Sequence, residues 1–227
     1  MCGRYALNEN ARELADHFHL VSVPELVPRF NIPPGVQVLV VRQSVSGPIG
    51  EMMLWGLTPA WTRSAAQSRA YPKPINARAE SIQERPMFRS AFRARRCILP
   101  ASGFYEWNRP QAGPKQAYYF HPANDPVFAM AGLFEPGDGD FPASCCILTT
   151  AANEVMAPVH DRMPVLLDLK DVQAWLDPAT SRARLLPLLA PAPSDEMFAH
   201  PVSARVNAAR NDDSSLIERC APAGEIQ

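Results

Sequence analysis

The sequence predicts a single α+β domain built mainly from antiparallel strands, and three observations carry that prediction. Twenty-four prolines leave few uninterrupted 3.6-residue periods, which argues against an all-helical fold. Segments rich in aromatic and β-branched residues, the mark of strands, outnumber helical ones. They succeed one another at hairpin-like spacing, which favours antiparallel pairing. With 227 residues, no internal repeat and no shift in composition, the chain is the size of one domain.

The elements follow in order. "NARELADHFHL" reads as a short amphipathic helix with Asn10 as its cap and Leu14, Ala15 and Phe18 on its inner face. "VQVLVV" and "GEMMLWGL" read as strands on either side of the turn "SVSGPIG". "FRSAFRAR" is helical, and "RCILPASGFYEW" is a strand, a turn and a strand. "QAYYFHP", "PVFAMAGLFEP" and "SCCILTT" are further strands. "DLKDVQAWLD" is a helix capped by Asp168 and ended before Pro178. "SRARLLPLLAPAPSDEM" is a short helical or irregular connection, and "HPVSARVN" a last strand. The domain is expected over residues 1–210, with 211–227 a polar, loosely ordered tail.

Composition narrows the function classes. Five cysteines (Cys2, Cys97, Cys145, Cys146, Cys220) are an odd number with no C-x-x-C pair, against a disulfide framework or structural zinc. No signal-like or long apolar run is read, so no membrane association and a cytoplasmic location are expected, nucleoid-associated in a bacterium. Phosphate-loop, dinucleotide, α/β-hydrolase and zincin motifs do not occur. His17 and His19, two apart, do not share a helix face, and no metal or cofactor is expected. Net charge is −1, yet six arginines fall between Arg78 and Arg96, with only Glu80 and Glu84 opposing them. Such a cluster suits nucleic-acid phosphates and equally suits a solvated charged face.

Four residues stand in settings that suit chemistry. Cys2 follows the initiator methionine directly, so removal of Met1 would leave an α-amine and a thiol on one residue. Packing as a small hydrophobe is the plainer reading. Glu106 lies among aromatics in "SGFYEW", and His160 lies before an acid and an arginine in "VHDRMP". Asn76 follows a stretch stiffened by prolines. Each also has a structural reading: an acid paired with arginine, a histidine satisfied in the core, an asparagine closing a turn. Together with a terminal cysteine they suit general acid–base work.

The blocks "MCGRYAL", "RFNIPPG", "LWGLTPAW", "INARAES", "PMFRSAFRARRCILPASGFYEW", "MAGLFE", "ILTTAAN" and "VHDRMPVLL" run in order from Met1 to about Val206. Together they resemble the SOS response-associated peptidase (SRAP) family, whose members process abasic sites in DNA. The resemblance implies a single α+β domain of curved, mostly antiparallel, open-barrel-like sheets with a few flanking helices. It implies that Cys2 crosslinks to the abasic sugar, with Asn76, Glu106 and His160 lining the site. It further implies that Arg78 and Arg162 contact the DNA backbone and that Asn31, Pro34 and Trp61 help form the strand-binding surface. Met87 would wedge between bases, while Arg4 and Arg85 would join the DNA contacts. The partner implied is single-stranded DNA containing abasic sites, met by a monomer. The segment "TRSAAQSR" with "AYPKP" between Trp61 and Ile75 is longer than in compact members, which bears on one DNA-facing loop.

The chemistry fits these residues. An opened abasic sugar is an aldehyde, and an amine converts it to an imine. A thiol on the same residue then closes a five-membered thiazolidine, an intramolecular step with a large advantage. An α-amine, with a pKa of about 7.7–8.0, is partly neutral at physiological pH, whereas a lysine at about 10.4 is not. Strand cleavage beside the lesion and reversal of the crosslink are further expected activities. The alternative is an N-terminal-nucleophile cysteine peptidase or amidohydrolase, of which self-removal of Met1 would be a limited form. A DNA-binding module without chemistry would tolerate serine at position 2.

Overall fold

The computed structural model describes residues 2–62, 73–108 and 115–221. Met1, most of the long segment after Trp61 and the last six residues lie outside that description. Among the described residues, thirteen strands and four α-helices form an α+β domain with two sheets.

The smaller sheet has the order β13 (Met197–Val202), β8 (Gln116–Pro122), β7 (Gly103–Asn108), β1 (Tyr5–Leu7), β2 (Arg29–Ile32). All its pairings are antiparallel. The larger sheet runs β11 (Arg162–Pro164), β10 (Ser144–Ala151), β4 (Gly47–Trp55), β3 (Gln37–Ser44), β6 (Arg96–Ala101), β9 (Phe128–Glu135), β12 (Leu166–Leu167). It curls until β10 meets both β4 and β9, with β5 (Asn76–Arg78) alongside β10 in parallel. Curled sheets of this kind are the architecture expected from the family resemblance. The enclosed core holds Val38 to Val41, Trp55, Ile98, Leu99, Met130 and Ile147, all at most 2% exposed.

The helices form where the sequence puts them. α1 (Ala11–Phe18) starts in a capping box: the Asn10 side chain accepts from the Glu13 N–H at 3.0 Å, and Glu13 accepts from the Asn10 N–H at 3.1 Å. Leu14 and Phe18 are buried, and Ala15 is half-buried. α2 (Pro86–Ala94) has proline in its first turn, where the missing N–H costs nothing. α3 (Leu169–Leu176) buries Val172, Trp175 and Leu176, and a one-turn α4 (Arg182–Leu185) follows. Asp168 flanks α3 without capping it, since its carboxylate pairs with Lys170 instead. Arg96, 2% exposed, donates to the carbonyls of Phe92, Arg93, Trp175 and Asp177 at the ends of α2 and α3. It satisfies helix C-termini, so it leaves the basic surface cluster to which its sequence position assigned it.

"RCILPASGFYEW" forms the expected strand, turn and strand, and at Ser102 the chain passes from the larger sheet into the smaller one. Gly103 makes the crossing, because a Cβ there would meet the Tyr119 ring and stand 2.5 Å from the Phe120 carbonyl oxygen. The described part of the expected loose tail is docked. Asp212 accepts from the backbone N–H of Phe30 and Asn31, Leu216 is fully buried, and Arg219 bridges to Val202. A polar run is held here by hydrogen bonds to β2, which no local hydrophobic pattern reveals. "ARVN" likewise forms a 3-10 turn (Ala204–Asn207) after β13 rather than extending it.

Candidate functional site

The position of Cys2 follows from β1. That strand is threaded between β2 and β7, pairing Tyr5 with Phe104 and Ala6 with Gly103. The Tyr105 N–H donates to the Arg4 carbonyl at 2.9 Å, and continuing the register sets Glu106 opposite Gly3. Cys2 is fully buried and Glu106 is 5% exposed. Burial pushes the Cys2 thiol well above its ordinary value, and the nearby Glu106 carboxylate adds to the rise. The thiol is therefore held protonated. The phenol of Tyr5, also buried, is raised by burial and by the neighbouring Cys145 and Cys2 sulfurs. Its ring packs edge-on against Trp55 at 5.3 Å, and Trp55 is itself fully buried.

Asn76 meets Cys2 from the other sheet. It opens β5, and its side-chain Nδ2 donates to the Cys2 carbonyl at 2.8 Å. The Trp55 indole donates to the Ile75 carbonyl at 2.9 Å and fixes the approach to that strand. Asn76 also lines a groove of about 690 Å³ with Trp61, Arg78, Arg85, Met87 and Phe88. Trp61 is 50% exposed, both arginines are exposed, and Met87 is half-buried. Five of the twelve residues picked out from the sequence therefore share one groove. Phe88 contributes its edge but is itself buried at 5%.

His160 stands before β11, whose Pro164 pairs with Thr149 of β10; Arg78 pairs with Thr149 from the other side. His160 is thus placed at the same end of β10 as the groove. Its Nδ1 lies 2.9 Å from the Arg162 backbone nitrogen and 2.8 Å from an Asp161 carboxylate oxygen. Arg162 is tied to Glu80 by a bidentate pair, with Nη2 at 2.9 Å, and to the Thr149 carbonyl at 2.6 Å. That pairing holds the Glu80 carboxyl below its ordinary value.

Three expected surface residues sit elsewhere. Asn31 is fully buried, which corrects its assignment to a strand-contacting surface. Its amide nitrogen donates to the carbonyls of Val206, Ala208 and Asn211, and its oxygen accepts from Arg4 Nη1 at 2.7 Å. With those bonds made, its side chain has no donor left to offer DNA. Arg4 is half-buried and also donates to the Val206 carbonyl at 3.0 Å. Pro34 precedes Gly35, which takes φ +84° in the turn to β3 and donates to the Trp55 carbonyl at 2.9 Å; Pro34 does not line the groove. Sequence reasoning missed Asp212 and the hydroxyl of Tyr105, which donates to the Phe30 carbonyl at 2.6 Å. Neither lies in a motif that marks it. Among the described residues no cluster of three or more His, Cys, Asp or Glu side chains could hold a metal ion.

The fold and sequence have known counterparts. The family model described as SOS response associated peptidase (SRAP) matches residues 1–209. Abasic site processing protein YoqW of Bacillus subtilis (strain 168) is 35% identical over 226 residues, covering 96% of this chain and 99% of its own. Abasic site processing protein HMCES of Xenopus tropicalis is 33% identical over 187 residues, covering 70% of this chain and 54% of its own. A crystal structure of a protein from Bacteroides thetaiotaomicron superposes with a TM-score of 0.86 at 26% identity, covering 97% of this chain and 100% of that one.

Proposed function

This chain belongs to the SOS response associated peptidase (SRAP) family, and on that premise we propose that it captures abasic sites in single-stranded DNA by covalent attachment at Cys2. The relatives named as abasic site processing proteins supply the lesion. The observation that carries the reading is the contact of Asn76 with Cys2: one side chain both holds the carbonyl of residue 2 and lines the arginine-flanked groove.

Removal of Met1, by the chain itself or by a separate aminopeptidase, frees the α-amine of Cys2. That amine adds to C1′ of the opened sugar, and loss of water gives an imine. The Cys2 thiol adds second. Its sulfur bonds to the imine carbon, its proton passes to the nitrogen, and a thiazolidine closes. Protein and DNA are joined with net loss of one water. Glu106 relays the proton between sulfur and nitrogen. His160 gives a proton to the sugar ring oxygen as it opens and takes it back when the link is reversed. Elimination from the imine before ring closure would cut the strand beside the lesion. Asn76 holds the backbone of residue 2 so that amine and thiol reach the same carbon.

Arg78 and Arg85 take phosphates along the groove, while Trp61 and Met87 stack or wedge against exposed bases. Arg162 reaches a phosphate only by leaving Glu80. Arg4, Asn31 and Pro34 support the site from behind.

The test is incubation with a single-stranded oligonucleotide bearing one abasic site, followed by a denaturing gel and intact-mass measurement. A heat-stable band with the mass of protein lacking Met1, plus DNA, minus one water is expected. Fully processed protein that gives no adduct would overturn the reading and send attention to amide substrates.

A further inference from the structure

The segment after the last strand closes against β2 in a way that bears on Cys2. Strands β1 and β2 pair Tyr5 with Ile32 but Leu7 with Arg29, so β2 carries one extra residue between these pairs. Such a bulge interrupts the ladder and leaves backbone groups needing other partners. Asp212 supplies them: its Oδ1 accepts from the N–H of Phe30 at 2.5 Å and of Asn31 at 2.9 Å, while Oδ2 pairs with Arg29. The Phe30 carbonyl takes the Tyr105 hydroxyl. β2 is an edge strand of the smaller sheet, so Asp212 closes the side on which no further strand lies.

The bulge has a second effect, on Asn31. Fully buried, its amide gathers the carbonyls of Val206, Ala208 and Asn211 and receives Arg4 Nη1. Arg4 in turn accepts on its own carbonyl from Tyr105 N–H and donates to Val206. Among the described residues, those ahead of β1 are held by Asn76 at the Cys2 carbonyl, by the Cys2 thiol on the Arg4 carbonyl at 4.0 Å, and by this Arg4 network. The link therefore runs from Asp212 through the β2 bulge to Asn31, to Arg4, and so to residue 2. The family match ends at residue 209, before Asp212.

We propose that Asp212 is a positioning residue for Cys2: by closing the β2 bulge it seats Asn31 against Arg4 and holds the reactive end of the chain in line with Asn76 and Glu106. The proposal rests on the covalent reading above, in which small displacements of residue 2 matter because two of its groups attack one carbon. Displacement of about an ångström at a reacting group costs up to about a hundredfold in rate.

Asp212→Ala removes the acceptor, whereas Asp212→Asn keeps an oxygen for the two N–H groups and loses the charge toward Arg29. Adduct formation is followed over a range of concentrations of the abasic oligonucleotide, with thermal melting of each variant. At saturating DNA, Asp212→Ala should be slowed about tenfold or more, with its half-saturating concentration unchanged and Asp212→Asn restoring most of the rate. A maximal rate equal to that of the unsubstituted protein would overturn the proposal. So would parallel loss of rate and melting temperature in both variants, which marks a structural role alone. A second readout, alkylation of Cys2 by iodoacetamide located by mass spectrometry, does not depend on DNA. Faster labelling in Asp212→Ala, restored in Asp212→Asn, supports the proposal even if the unsubstituted protein forms no adduct, and equal labelling overturns it.

Discussion

The side-chain amide of Asn76 lies 2.8 Å from the main-chain carbonyl of Cys2, joining the first residues of the chain to a strand of the other sheet. The contact is made to backbone and leaves both reactive groups of residue 2 unengaged by Asn76. Its consequences can be measured.

Replacing the thiol separates the two chemical steps. Cys2→Ala and Cys2→Ser keep an α-amine after Met1 is removed, so each can form the imine but not the thiazolidine. Both are expected to lose the heat-stable adduct while borohydride still traps the imine, with noncovalent affinity for the oligonucleotide unchanged. A heat-stable adduct with Cys2→Ala would show that another residue makes the bond.

Asn76→Asp is nearly isosteric but turns the donor into an acceptor facing the Cys2 carbonyl. Losing that bond and adding the repulsion should slow adduct formation at saturating DNA by about ten- to a hundredfold. Gel time courses at several DNA concentrations separate this from any change in affinity.

Arg78→Ala and Arg85→Ala remove exposed cations from the groove wall. Each should lower the slope of log affinity against log salt by about 0.7, the single-strand value per phosphate contact. Fluorescence anisotropy across a salt series gives that slope, and an unchanged slope would remove that arginine from the DNA path.

Glu80→Gln breaks the pair with Arg162. Glu80 has a folded carboxyl held below 4.5, chiefly by its hydrogen bond from Arg162, so its stabilisation is present above that value and fades as pH falls through the lower folded one. With 54% of the Glu80 side chain exposed, screening keeps the contribution under about 1 kcal/mol. Melting curves should place Glu80→Gln slightly below the unsubstituted protein at neutral pH and level with it in acid. Freed from Glu80, Arg162 should also strengthen DNA binding.

Gly103→Ala puts a methyl group against the Tyr119 ring and 2.5 Å from the Phe120 carbonyl oxygen. The partner is backbone on one side, so the sheet must shift, at a cost of about 1–3 kcal/mol. Urea unfolding measures it. The register that sets Glu106 opposite Gly3 passes through this residue, so adduct formation should fall as well.

Much of this was legible in the sequence, and the misses have physical reasons. Asn10 and Glu13 announce α1 because a capping box is local, and "QAYYFHP" announces β8 because strand composition is local. Arg78, Arg85, Met87, Trp61 and Asn76 came out together because the order of their motifs carries the family resemblance, and β5, α2 and a 3-10 turn then bring them to one groove. What stayed hidden is long-range pairing of polar groups. Asn31 reads as a surface residue until its amide is seen among three carbonyls from residues 206 to 211. Arg96 reads as one more cation of a basic run until it is found closing two helices. Asp212 reads as part of a polar tail because its partners are backbone N–H groups some 180 residues earlier.

The threading of β1 between β2 and β7 also sets an order of assembly. Phe104 and Gly103 of its neighbouring strand follow it by about a hundred residues, and the Val206 carbonyl that Arg4 reaches is separated from it by 202 positions. Contacts this distant in sequence form slowly, so the seat of residue 2 is completed late in folding, and a chain interrupted before residue 206 lacks part of it.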